Sequence, residues 1–280
     1  MILLHVAAAA LYALTIGALW PAPATAAAGG APAPSRAAWG VWLLPAALLL
    51  HAWAVVQDTA TAQGLDFSLL NAISVVGALL AAVAWGSGLL RTVPGVAAII
   101  LPVAAAAVLL PAVLPRLSPA HFAAPHRFAY GAESLAALHV AVALVAYAMF
   151  LVAAVLAIVV MSLEQRLRHN VLDPGAGRVP PLLTLERFLF RLVTVGFVLL
   201  TVTLVSGMLF TEQLFGKPLT FTHKSVFSVL GWLTIGALLW GRWRYGWRGR
   251  VALRWIIAGS VFVFLAYLGS KFVLEVLLGR

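Results

Sequence analysis

"ESLAALHVAVALVAYAMFLVAAVLAIVVMS", residues 133–162, decides the fold. Glu133 at its start and His139 within it are its only groups that ionise near neutral pH. As a helix rising ~1.5 Å per residue the run would extend about 45 Å, more than the ~30 Å of a bilayer's hydrocarbon core. The surroundings agree. The chain of 280 residues is 64% hydrophobic and 9% charged, where a soluble domain carries roughly 25% charged residues. The reading is an all-α, polytopic membrane helix bundle forming one integral membrane domain.

Eight segments are long and apolar enough to span: roughly 2–20, 37–57, 67–90, 95–114, 133–162, 186–211, 223–241 and 252–276. Most are separated by helix breakers such as "PAPATAAAGGAPAPS", "QDTATAQGLD" and "RHNVLDPGAGRVPP". Pro102 and Pro111 lie inside the fourth segment, which is expected to be kinked or short, and Pro115, Pro119 and Pro125 argue against a helix through the whole following stretch. No internal repeat is visible. The first segment has the apolar run and small residues of a secretory signal without its positive start, so a retained span is expected.

Charge gives an orientation. With the N-terminus outside, inner loops and their flanks hold Arg36, Arg91, Arg166, Arg168, Arg178, Arg187, Arg191, Arg242, Arg244, Arg248, Arg250 and Arg254, twelve of the eighteen basic residues. That bias predicts both termini outside. The net charge of +10 is thus read as topology and contact with anionic membrane lipid. "LLWGRWRYGWRGR", residues 238–250, interleaves tryptophan with arginine and is read as a lipid-headgroup anchor, with no nucleic acid as partner.

Several chemistries drop out. Without cysteine there is no disulfide, thiol redox couple or thiolate metal site. No GxSxG, HExxH or Walker-type loop is present, and no enzyme is expected. Ionisable groups through the middle of the spans, the mark of ion-coupled transport, are essentially missing. Lys271 and Glu275, four apart, are expected to share a face and pair.

The histidines carry the remaining signal. His5, His51, His121, His126, His139 and His223 all fall toward the outer side, and only His169 toward the inner. His51 and His139 each lie about six residues, roughly 9 Å, inside an outer helix end. Two chemistries suit them. One is a hydrogen bond joining two helices, worth roughly 0.6–2 kcal/mol. The other is axial ligation of haem iron by neutral imidazoles on facing helices. Alanine-rich surroundings, "LLLHAWAV" and "LAALHVAVALVAYA", leave room for a macrocycle or for close helix packing. Asn71, in "SLLNAIS", is placed to bond His51, a ligand or another helix, and His223 stands at the outer start of the seventh span.

"LHVAVALVAYAMF", "PPLLTLERFLFRLVTVGFVLLTVTLVSGMLF", "HKSVFSVLGWLTIGALLWGRWRYGWRGR" and "LAYLGSKFV", with "SLLNAISVVGALL" earlier, resemble as an ordered set the cytochrome c assembly family of haem-handling membrane proteins, in its YpjD-like inner-membrane branch. The resemblance covers about residues 40–276. It implies an eight-helix protein of the bacterial inner membrane, with His139 matching a family histidine that ligates haem and His51 resembling one used within the membrane. The cofactor it implies is a b-type haem held or passed near the outer leaflet, with haem and another membrane protein as partners. The tryptophan-rich outer segment of the family is not matched: "GMLFTEQLFGKPLTFTHKS" contains no tryptophan. The family's later outer histidine has no counterpart in "GSKFVLEVLLGR". Delivery of haem to apocytochrome is therefore not implied; a retained haem site on His51 and His139 is compatible with the resemblance, and Asn71 and His223 are candidates beside it by their placement alone, His223 having no defined family role. The alternative is a haem-free structural protein supporting another membrane complex.

Overall fold

A computed structural model describes residues 2–19, 36–61, 64–92, 94–117, 129–130, 134–168, 182–209 and 223–277. Eight long helices form the body: α1 (Ile2–Leu19), α2 (Arg36–Thr59), α3 (Leu69–Gly86), then, after the single turn α4 (Leu89–Thr92), α5 (Pro94–Leu117), α6 (Ser134–Arg168), α7 (Leu182–Leu209), α8 (His223–Tyr245) and α9 (Gly249–Phe264). Six of these, counting α9 with its continuation to Gly269, have the length and hydropathy to cross a bilayer, and α1 is a shorter apolar helix. The chain is an all-α polytopic bundle of about eight helices, as the apolar runs predict.

Two groups of helices meet at one seam. α1, α2, α3 and α5 pack on one another, and so do α6, α7, α8 and α9; α3 against α6 joins the groups. One continuous apolar core runs through both, from Tyr12, Leu44 and Leu80 to Phe150, Leu189 and Ile235. Small residues set the closest approaches. A Cβ on Gly77 would collide with the Ala107 side chain, which brings α3 onto α5. A Cβ on Gly231 would stand 2.8 Å from Val263 Cγ2, and one on Gly259 2.7 Å from Ile235 Cγ1, so α8 and α9 touch almost backbone to backbone.

The bundle has two chemically different ends. At one, the starts of α1, α3, α6 and α8 meet the ends of α2, α7 and α9, and the histidines gather. Three short antiparallel strands, β1 (Ala60–Thr61), β2 (Gly64–Asp66) and β3 (Ala129–Tyr130), lie at this histidine end in the order β1-β2-β3, pairing Ala60 with Leu65 and Leu65 with Tyr130. At the other end Arg242 bonds Glu186 at 3.1 Å and Arg250 bonds Glu164 at 3.4 Å, tying α8 to α7 and α9 to α6. The Arg242 guanidinium also lies 3.4 Å from the centre of the Phe190 ring. Gly246 and Gly249, at φ +68° and +57°, make the tight turn from α8 to α9 that only glycine takes without strain.

Two sequence expectations change. α5 is not short: it runs 24 residues through Pro102, Pro111 and Pro115. α1 and α3 pack on one side of it and the other side, with Pro102, faces outward; in apolar surroundings a helix is the one way to satisfy most of its backbone, which outweighs the loss at each proline. α6 runs past the expected 162 to Arg168, because "LEQRLR" continues the helix as a polar extension. Beyond Phe264 the final helix widens into two π-helical turns, Leu265–Gly269 and Phe272–Leu277. The possible signal cleavage stretch, His121, His126, His169 and the Glu275 side chain lie outside the described residues.

Candidate functional site

His51 sits on α2 with no solvent exposure. Its ring is held from both sides. Nδ1 lies 3.1 Å from the Tyr12 hydroxyl on α1, and Nε2 lies 3.2 Å from the Ser74 hydroxyl on α3. Tyr12 also meets the imidazole edge-on at 5.8 Å. Hydroxyls donate or accept, so either tautomer of a neutral histidine is satisfied here. The third neighbour is Gly77, where a Cβ would be 3.7 Å from His51 Cε1. Near the helix ends above, His5 Nε2 and Asp58 Oδ2 are 2.8 Å apart, which fastens α1 to α2 again.

His139 sits on α6, five residues after its start, and is half-buried. Its Nδ1 lies 2.8 Å from the Ser206 hydroxyl on α7. Ser206 in turn donates to the Thr203 carbonyl at 3.2 Å. Gly207 faces the ring: a Cβ there would stand 3.3 Å from His139 Cε1. The two histidines thus have different partners, His51 on α1 and α3 and His139 on α7, with α3 lying between α2 and α6 in the packing order.

Asn71 is buried at the start of α3, and its amide donates to the Asp58 and Asp66 carbonyls at 3.1 and 3.2 Å. It fastens the β1–β2 hairpin to the bundle, while the His51 nitrogens are taken up by Tyr12 and Ser74. His223 is exposed at the first position of α8.

Sequence reasoning missed the next residue, Lys224, and read its companion Lys271 only as a partner for Glu275. Lys224 Nζ lies 5.3 Å from the centre of the Tyr267 ring, and Lys271 Nζ lies 5.7 Å from the same centre. Lys271 is buried and donates to the Phe67 carbonyl, and the Tyr267 hydroxyl reaches the same carbonyl at 3.5 Å. Lys224 acts electrostatically on both Lys271 and His139. The sequence showed lysines at an outer boundary; it could not show that two of them converge on one ring.

The description "Cytochrome C assembly protein" belongs to the family model that matches residues 40–278. The chain belongs to that family. Among curated relatives, the chain is 34% identical over 140 residues to inner membrane protein YpjD of Escherichia coli K12, which is 50% of this chain and 52% of that protein. It is 34% identical over 142 residues to a 28.8 kDa protein of Azospirillum brasilense, covering 51% and 52% of the two chains. Cytochrome c biogenesis protein CcsA of a Synechococcus strain is 28% identical over 158 residues, covering 47% of this chain and 52% of CcsA. The chain spans about half the length of the curated relatives it matches. No solved structure matches it.

A cytochrome c assembly protein raises the question of haem, and the donor chemistry answers it unequally. His139 has the arrangement of a metal-ligating imidazole: one ring nitrogen anchored by a hydroxyl, the ring orientation fixed, and a glycine where a side chain would crowd it. His51 has both nitrogens engaged inside the bundle, so ligation there requires giving up a hydrogen bond. Among the described residues no three His, Cys, Asp or Glu side chains cluster as a metal site. His51 bonds to α1 and α3 and His139 to α7, so the residues fit separate imidazoles at the histidine end better than a pair facing across one slot.

Proposed function

We propose that the protein holds or passes a b-type haem near the outer leaflet of a bacterial inner membrane, with His139 as the iron ligand. The observation that carries this reading is the His139–Ser206 contact beside Gly207. Family membership and the names of YpjD and CcsA support it. The arginine-rich loops support an orientation with the opposite end in the cytoplasm and both termini outside. His223, exposed at the same end, is the candidate for a second, exchangeable ligand. Ser206 is a positioning residue that sets the His139 ring. A bound haem supplies a redox-active iron; the residues ligate it, orient it and limit water around it. The protein does not present haem to apocytochrome by a tryptophan platform, since residues 208–222 contain none.

The test is an absorption spectrum of the full chain purified in mild detergent, before and after haem titration. Sharp α and β bands on reduction are expected, lost in His139→Ala, shifted in Ser206→Ala and retained in His51→Leu. A flat visible spectrum after titration, or bands indifferent to His139→Ala, refutes the reading. The double anchoring of His51 favours one second reading: a haem-free membrane protein that keeps the fold to support another complex. A well-folded chain without haem bands is its signature.

A further inference from the structure

An apolar crevice runs along the seam between α6 and α9. It is lined by Tyr147, Phe150, Ile158, Ile257, Phe264 and Tyr267 among others. Its lining spans Tyr147 to Ile158 on one side and Ile257 to Leu268 on the other, about three turns of helix. Tyr267, toward the histidine end of this crevice, is the ring on which Lys224 and Lys271 converge. The Tyr147 and Tyr267 rings lie 5.7 Å apart across it. Lys224 forms no ion pair with a carboxylate among the described residues. Two ammonium groups drawn to one ring repel each other, and an ionisable group within a span usually marks a ligand or partner. The lysines do not line the furrow itself; both stand against Tyr267 at its end, and a long apolar furrow ending beside two ammonium groups is complementary to an acyl chain with an acidic head.

We infer that Lys224 and Lys271, at the head of the α6–α9 crevice, form a binding site for an anionic phospholipid, the phosphate at the lysines and one acyl chain along the crevice. Basic pockets between spanning helices hold acidic headgroups by this chemistry. Among the described residues, the lining of the crevice holds no carboxylate to compete: its hydroxyls are those of Tyr147, Tyr267 and Ser260, and Ser260 donates to the Phe150 carbonyl at 3.1 Å. The site borders the haem reading, since Lys224 follows His223 in the chain, but its test reads lipid retention and needs no haem.

The experiment is native mass spectrometry of the full chain in detergent, with phosphatidylglycerol and phosphatidylcholine of identical acyl chains added in equal amounts. One phosphatidylglycerol is expected to be retained preferentially. Each lysine should contribute roughly fivefold, from about 1 kcal/mol per basic residue near a headgroup. Lys224→Gln should therefore lower the preference about fivefold and Lys224→Arg should keep it, with size-exclusion profile and helical circular dichroism confirming the fold. Ala154→Trp, which fills the crevice, should reduce retention of both lipids. Equal retention of the two lipids by the wild type, or an unchanged preference in Lys224→Gln, overturns the inference. So does oleate bound in place of phosphatidylglycerol, or haem that displaces it in a Lys224-dependent manner, since either assigns the lysines to a different acid.

Discussion

Replacing His51 by leucine removes an imidazole of similar bulk and, with it, both hydrogen bonds that join α2 to α1 and α3. Interhelical hydrogen bonds of this kind in membranes average ~0.6 kcal/mol and reach ~1.7. Taking about 1 kcal/mol for each, His51→Leu should cost about 2 kcal/mol, roughly a thirtyfold shift of the unfolding equilibrium. Tyr12→Phe and Ser74→Ala should each cost about half of that. The decisive comparison is His51→Leu made in the Tyr12→Phe/Ser74→Ala background, where the bonds are already gone. There it should cost under about 0.5 kcal/mol, because only packing changes. Equilibrium unfolding in mixed micelles of mild detergent and dodecyl sulfate, followed by circular dichroism, measures all the variants. An equal cost of His51→Leu in both backgrounds would show that Tyr12 and Ser74 do not hold the ring, and the account of α1, α2 and α3 as one pinned unit would fail.

Gly77→Val should destabilise the protein by about 1–3 kcal/mol in the same assay, since its Cβ meets Ala107 and presses toward His51. Gly231→Val should do likewise at the α8–α9 contact, where Val263 stands in the way. Glu186→Gln should cost less than about 1 kcal/mol, as a partly exposed ion pair does. Arg242→Lys should cost more than Glu186→Gln, because the planar guanidinium is stacked on Phe190 and lysine keeps only the charge; a smaller cost for Arg242→Lys would remove the stacking from the account.

The eight-helix plan was legible because an apolar run of spanning length admits one backbone solution in hydrocarbon. The arginines that mark one end were equally legible, and in the fold Arg242 and Arg250 do meet carboxylates there. Which helices touch was not legible. Leucine and alanine faces are interchangeable to a reader of sequence, and the close approaches depend on single glycines such as Gly77 and Gly259. The same limit governed the histidines. Tyr12, Ser74 and Ser206 are ordinary residues in the text, and only three-dimensional placement separates His51, with hydroxyls on both sides, from His139, with one anchored nitrogen. The prolines of α5 misled because their cost is reckoned for a helix in water, whereas in hydrocarbon the backbone has no solvent partner to turn to.

The widened turns after Phe264 set the phase of everything that follows them. With five-residue spacing instead of four, one turn of the tail takes up an extra residue, and Tyr267 and Lys271, four apart, still share a face. Deleting a single residue between Phe264 and Lys271 would let the tail resume ordinary winding with Lys271 still turned to the Phe67 carbonyl, whereas the same deletion in a regular helix would swing it through ~100°. The widened turn is thereby a place where the chain can shorten by one residue without moving the lysine.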